Sequence, residues 1–190
     1  MDSQDPLYRR LVTKARGESR AEALVEELSL QLGLPRGGNA DRVIAAVALI
    51  KTGVPPETVG AFLTWVEFET FCGGLLEANG YAVKRNVVIT KPRRQIDIVA
   101  RSPDLSLSVD CKHWGKSFSD STLERIVRSQ IERTSHYKKK LGLREGILPA
   151  VFTMLDAPTR VVLGVPVVPV FAMRDFLNNV SRFDENLRVL

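Results

Sequence analysis

From Leu105 onward the chain places an apolar residue at every second position (Leu105, Leu107, Val109, Cys111), with Ser106, Ser108, Asp110 and Lys112 between them. A period of two is what a β-strand requires, because its side chains alternate between the two faces of a sheet, and here it predicts a half-buried strand. Just upstream, RRQIDIVARS reads as a second strand with Asp97 inside its apolar run. Ser102-Pro103-Asp104-Leu105 joins the two, with proline at the second position of a β-turn. If Pro103 and Asp104 form a two-residue loop, Ser102 pairs with Leu105 and, counting outward, Asp97 falls opposite Asp110, with Lys112 on the same face. A three-residue loop would set Asp97 against Val109 instead. Opposed carboxylates destabilise a ladder unless a cation accompanies them, so this register calls for Lys112 or a divalent metal. Oxygen-only ligands suit Mg²⁺ or Mn²⁺, whereas a salt bridge at a strand end is the plainer alternative.

The flanking pattern is mixed. Phe68, Phe71, Cys72, Leu75 and Leu76 form a helical stripe that stops at Asn79-Gly80, and YAVKRNVVIT follows as a strand. After the hairpin comes a long amphipathic helix, STLERIVRSQIERTSHYKKKLGL, with Leu123, Ile126, Val127, Ile131 and Leu141 expected to face inward. ILPAVFTM then reads as a buried strand, PTRVVLG is ambiguous, and VPVVPVFAMRDFLNNV reads as a strand running into a helix. Residues 4–60 are helical in pattern, with a break at PRGGNAD, a helix capped by Asp41 and ending at Gly53, and a restart at VPPETVGAFLTW. The expected organisation is a helical unit over 1–62, either a helix-turn-helix or a plain helical hairpin, and an α/β domain over 63–190.

Twenty-seven basic against 22 acidic residues give a formal charge of +5, which mildly favours a polyanionic partner. The N-terminus lacks the apolar segment of a secretory signal, and VIAAVALI is too short to span a bilayer, so a cytoplasmic protein without a membrane partner is expected. Cys72 and Cys111 read as buried small hydrophobes, with no disulfide framework.

Three pieces, FETFCGGLLEANGYAV, QIDIVA and VDCKHW, together resemble the PD-(D/E)XK nuclease superfamily, most closely its Mrr-type restriction endonuclease branch, over roughly residues 66 to 155. The resemblance implies a restriction-endonuclease-like core of helix, three-strand meander, helix and strand. It further implies that Asp97 and Asp110 bind Mg²⁺ or Mn²⁺ with the Cys111 carbonyl, that Lys112 assists the attacking water, and that Glu69 approaches from the helix. Asp110 departs from the commoner Glu or Gln of that branch and shortens the reach by a methylene. Glu69 is preferred to Glu67 because its three, four and seven spacing to Cys72, Gly73 and Leu76 borders the buried stripe. Gln130, on the inward face of the long helix, needs a polar partner and is a further candidate for the site.

His113 and His136 have no pairing that suits a metal, and Trp114 is expected to pack rather than to stack on a base. Lys91, Arg93 and Arg94 at the strand turn, with Arg125 and Arg128 on the long helix, are read as phosphate contacts; Arg133 and the following lysines are placed on the same basic outer side. The expectation is therefore a metal-dependent DNA endonuclease in restriction, repair or recombination. A catalytically silent nucleic-acid-binding module and a branched-DNA (Holliday junction) resolvase are the alternatives, and a homodimer is left open.

Overall fold

The computed structural model describes residues 4, 6–15, 17–32, 39–54, 63–112, 119–154, 159–180 and 186–190. His113, Trp114 and most of the segment read as a restarting helix lie outside the described residues. Three helices come first: α1 (Pro6–Ala15), α2 (Glu18–Leu32) and α3 (Asn39–Lys51). Asp41, expected as a cap, instead sits buried within the first turn of α3. The mixed part runs α4 (Trp65–Ala78), β1 (Ala82–Ile89), β2 (Arg94–Arg101), β3 (Ser106–Lys112), α5 (Asp120–Leu141), β4 (Ile147–Thr153), β5 (Arg160–Val162), β6 (Val165–Pro169), a short 3₁₀ turn and α6 (Met173–Asn179). PTRVVLG, ambiguous in sequence, supplies the edge strand β5. Among the described residues no helix is long and apolar enough to cross a membrane.

The strands form one six-stranded sheet in the order β1-β2-β3-β4-β6-β5. β1, β2 and β3 are an antiparallel meander, β3 to β4 and β4 to β6 are parallel, and β5 returns antiparallel. The connection from β3 to β4 is made by α5, as a parallel pair requires a long crossover. This is the restriction-endonuclease-like arrangement, with helices on both faces of the sheet.

Phe68, Phe71, Cys72, Leu75 and Leu76 of α4 pack on Ile98, Ala100, Leu107, Val109, Leu148, Ala150 and Phe152, and the same apolar cluster continues into α1, α2 and α3. On the opposite face Leu123, Ile126 and Val127 of α5 cover Val151, Val165 and Val167, while Tyr137 covers Ile96, Val99 and Ile147. Truncation of Phe68, fully buried at the centre of the first cluster, costs about 3–5 kcal/mol. Leu141, expected to face inward, is 54% exposed at the last residue of α5; Gln130, Thr134 and Tyr137 occupy the buried stripe instead.

Because β3 lies between two helices, the half-buried strand expected from its alternation is buried on both faces, Ser106, Ser108 and Asp110 included. The apolar side chains meet α4. The polar ones lie under α5, where Gln130 Nε2 donates to the Ser108 carbonyl (2.7 Å) and hydroxyl (3.1 Å), and Thr134 Oγ1 donates to the Ser108 hydroxyl (2.9 Å). Most buried polar groups are partnered, and these bonds tie α5 to the sheet, although Gln130 Oε1 itself is buried without a partner.

Candidate active site

The turn expected at Ser102–Leu105 forms: Ser102 N–H donates to the Leu105 carbonyl at 2.9 Å, and β2 pairs with β3 from Arg101–Ser106 to Ile98–Val109. The two-residue loop is therefore correct, and the same count brings Asp97 level with Asp110. Yet the ladder stops one step short of them. In an antiparallel pair every second residue directs both N–H and C=O at its neighbour, so Cys111 should next bond Ile96. Its N–H donates instead to Asp97 Oδ2, at 2.8 Å, and the alternation aims its carbonyl into the same gap.

The β1 side is interrupted at the same point. Arg85 pairs with Ile98 and Val87 with Ile96, while Asn86, between them, adopts a left-handed φ of 53° opposite Asp97. Strict alternation would put Ile96 and Val99 on opposite faces, but both pack beneath Tyr137. The kink at Asp97 is how an aspartate is accommodated in a buried strand: its carboxylate replaces a backbone acceptor, and the sheet opens around it.

Asp110 is 1% exposed. Its Oδ1 accepts from Arg133 Nη2 at 2.8 Å, and Lys112 Nζ lies 2.7 Å from Oδ2. The lysine contact is ionic and lacks hydrogen-bond alignment, so Oδ2 is a buried oxygen with no directed donor. Arg133 was expected on the outer basic side of α5; it turns inward, with its side chain 18% exposed. Its spacing of three from Gln130, on the buried edge, was the available signal. Gln130 itself is wholly buried on Ser108, two residues before Asp110, and makes no hydrogen bond to a carboxylate.

The two acids of α4 separate clearly. Glu67 completes a capping box with Thr64: its Oε2 accepts from the Thr64 N–H at 2.7 Å, its own N–H donates to the Thr64 hydroxyl at 3.1 Å, and Arg42 donates to its Oε1 at 2.9 Å. Burial opposes its ionisation, but the bonds from Thr64 and Arg42 prevail and hold the carboxyl below its usual range. Glu69 is pushed up to about 7, first by burial and then by the charges of Asp97 and Asp110, with Lys112 partly offsetting them. Asp97 is likewise raised by burial and by Asp110, against the Cys111 N–H, Lys112 and Arg133. Three carboxylates thus share one electrostatic field with two cations, and the upward shifts of Glu69 and Asp97 come first from burial and then from the neighbouring negative charge.

That donor set, carboxylates with the backbone carbonyl of Cys111 on the adjoining residue, would suit a hard divalent cation, and Asp110 Oδ2, which has no hydrogen-bond partner, is the atom such a cation would take. Among the described residues no three acidic, histidine or cysteine side chains are already gathered closely enough to hold one. Around the site, Lys91, Arg93 and Arg94 are exposed in and just after the β1–β2 turn, which Lys140 ties to α5 through the Thr90 hydroxyl at 2.8 Å. Arg125 and Arg128 are exposed on α5, Arg128 donating to Glu124 at 2.9 Å. Both cysteines are buried free thiols, as expected.

Residues 61–143, from the approach to α4 through the end of α5, match the family model described as restriction endonuclease, of the Mrr catalytic type. Over this stretch the chain is similar to restriction endonucleases of the Mrr type, and its sheet order agrees with a restriction-endonuclease-like fold. The matched segment contains Glu69, Asp97, Asp110, Lys112, Gln130 and Arg133, and leaves α1 to α3 and the strands from β4 onward outside the match. A relative from Archaeoglobus fulgidus, an uncharacterized protein, is 27% identical over 121 residues, covering 62% of this chain and 92% of its own length.

Proposed function

We propose that the chain is a deoxyribonuclease that hydrolyses phosphodiester bonds of DNA with Mg²⁺ or Mn²⁺. The observation that carries the reading is the interruption of the β2–β3 ladder, where Asp97 Oδ2 takes the Cys111 N–H at 2.8 Å next to the buried Asp110, whose Oδ2 lies 2.7 Å from Lys112 Nζ. Asp97, Asp110 and the Cys111 carbonyl would hold the cation, with Glu69 as a further ligand or water anchor. When bound, the metal supplies Lewis-acid polarisation of a phosphoryl oxygen and a more acidic water. Arg133 holds Asp110 Oδ1, so this carboxylate presents only its other oxygen. Lys112, 2.7 Å from that oxygen, is within reach of whatever Asp110 binds and can orient the attacking water or stabilise charge growing on the phosphoryl group. The exposed cations of the β1–β2 turn and of α5 would track the backbone of the duplex.

A binding module without turnover is the second reading. It is favoured by the two cations already on Asp110 and by the lack of a preassembled three-ligand cluster among the described residues. One experiment decides between them: cleavage of supercoiled, linear, single-stranded and branched DNA with Mg²⁺, Mn²⁺ or EDTA, by the wild type and Asp110→Asn. Metal-dependent cleavage lost in Asp110→Asn supports the nuclease, and preference for the branched substrate would make it a resolvase. Duplex binding with no cleavage of any substrate would leave the module.

A further inference from the structure

Residues 1–62 carry no net charge, with eight basic and eight acidic side chains. Those charges are not mixed evenly. A groove of about 1160 Å³ between α1, α2 and the end of α3 is lined, among the described residues, by Arg9, Arg10, Lys14 and Arg20 against one acid, Glu27. All four basic residues are exposed. In a neutral unit, four cations to one anion along one groove is a segregation of charge, and concave basic surfaces focus the field on a polyanion.

The groove is distinct from the carboxylate site. Arg42, in the first turn of α3, pairs with Glu67 at the start of α4, whereas Thr52, just beyond the other end of α3, lines the groove. They are ten residue steps apart, about 15 Å at 1.5 Å per residue. We infer that the α1–α2–α3 groove binds the phosphodiester backbone of a nucleic acid, giving the protein a second point of attachment to DNA away from the cleavage site. The choice of nucleic acid over another polyanion rests on the nuclease reading.

The test is binding of a fluorescent duplex to the full chain in EDTA over a series of salt concentrations, with Lys14→Glu/Arg20→Glu and the milder Lys14→Gln/Arg20→Gln beside the wild type. Both sites are exposed, and thermal melts check that each variant is folded. Losing two phosphate contacts should lower the slope of log K against log salt by about 1.8 and weaken binding, more so with glutamate. Unchanged affinity and slope in both folded variants would overturn the inference, as would absence of duplex binding by the wild type. Displacement of the duplex by polyglutamate at matched charge would assign the groove to an acidic protein and also overturn it. Cleavage with Mg²⁺ is read separately: a wild type that never cleaves while the groove variants lose binding would sink the nuclease reading and leave the groove standing. Normal cleavage with unaltered binding in the variants would do the reverse.

Discussion

Glu69→Gln in the metal-free protein isolates what burial and the neighbouring carboxylates do to Glu69. The glutamine keeps the shape of the side chain and cannot ionise. In the folded wild type the Glu69 carboxyl is raised from its ordinary 4.5 to about 7, so between these values the native state holds a proton that the unfolded chain has released. Stability from this group is therefore fully present below pH 4.5 and is lost as pH rises through 7. A shift of that size corresponds to ~3 kcal/mol at 1.36 kcal/mol per unit, and partial exposure of Glu69 to solvent reduces it to about 1–2 kcal/mol. Thermal melts in EDTA at pH 5 and pH 8 should show the wild type losing that much relative to Glu69→Gln, about 3–6 °C in Tm for a chain of this size. The expected order is a small difference at pH 5 and a clear advantage for the variant at pH 8. A difference independent of pH would mean that Glu69 ionises as an ordinary surface acid and lies outside the field of Asp97 and Asp110.

Lys112→Ala should lower the single-turnover cleavage rate on the order of 10²-fold or more, with a much smaller change in the Kd for DNA, and arginine should not rescue it; equal rates would remove Lys112 from the mechanism. Arg133→Gln leaves the buried Asp110 with Lys112 alone and should cost about 1–3 kcal/mol in urea unfolding, an effect that disappears in an Asp110→Asn background if the contact is its cause. Thr64→Ala removes the capping box and should cost about 1 kcal/mol, and an unchanged unfolding midpoint would show that Arg42 alone keeps Glu67 in place.

The pattern of the sequence alone determined the element types around the site, because alternation and helical spacing are local consequences of backbone geometry. The Ser102-Pro103-Asp104-Leu105 turn set the hairpin register, and with it the level at which Asp97 and Asp110 meet. Glu69 was separable from Glu67 by its spacing to Cys72 and Leu76, although the capping box that occupies Glu67 required Thr64 and Arg42 to be seen together. What the local pattern could not reveal was which polar face stays dry. Ser108 and Asp110 alternate with apolar residues as in a strand open to water, yet α5, arriving from later in the chain, covers them and brings Gln130 and Arg133 as partners. The kink that turns Asp97 onto the Cys111 N–H likewise needs Asn86 of a neighbouring strand and a lapse in two ladders at once. Sequence periodicity records how each residue sits on its own strand or helix, whereas burial and charge compensation depend on the element packed across from it, and only the tertiary structure decided that.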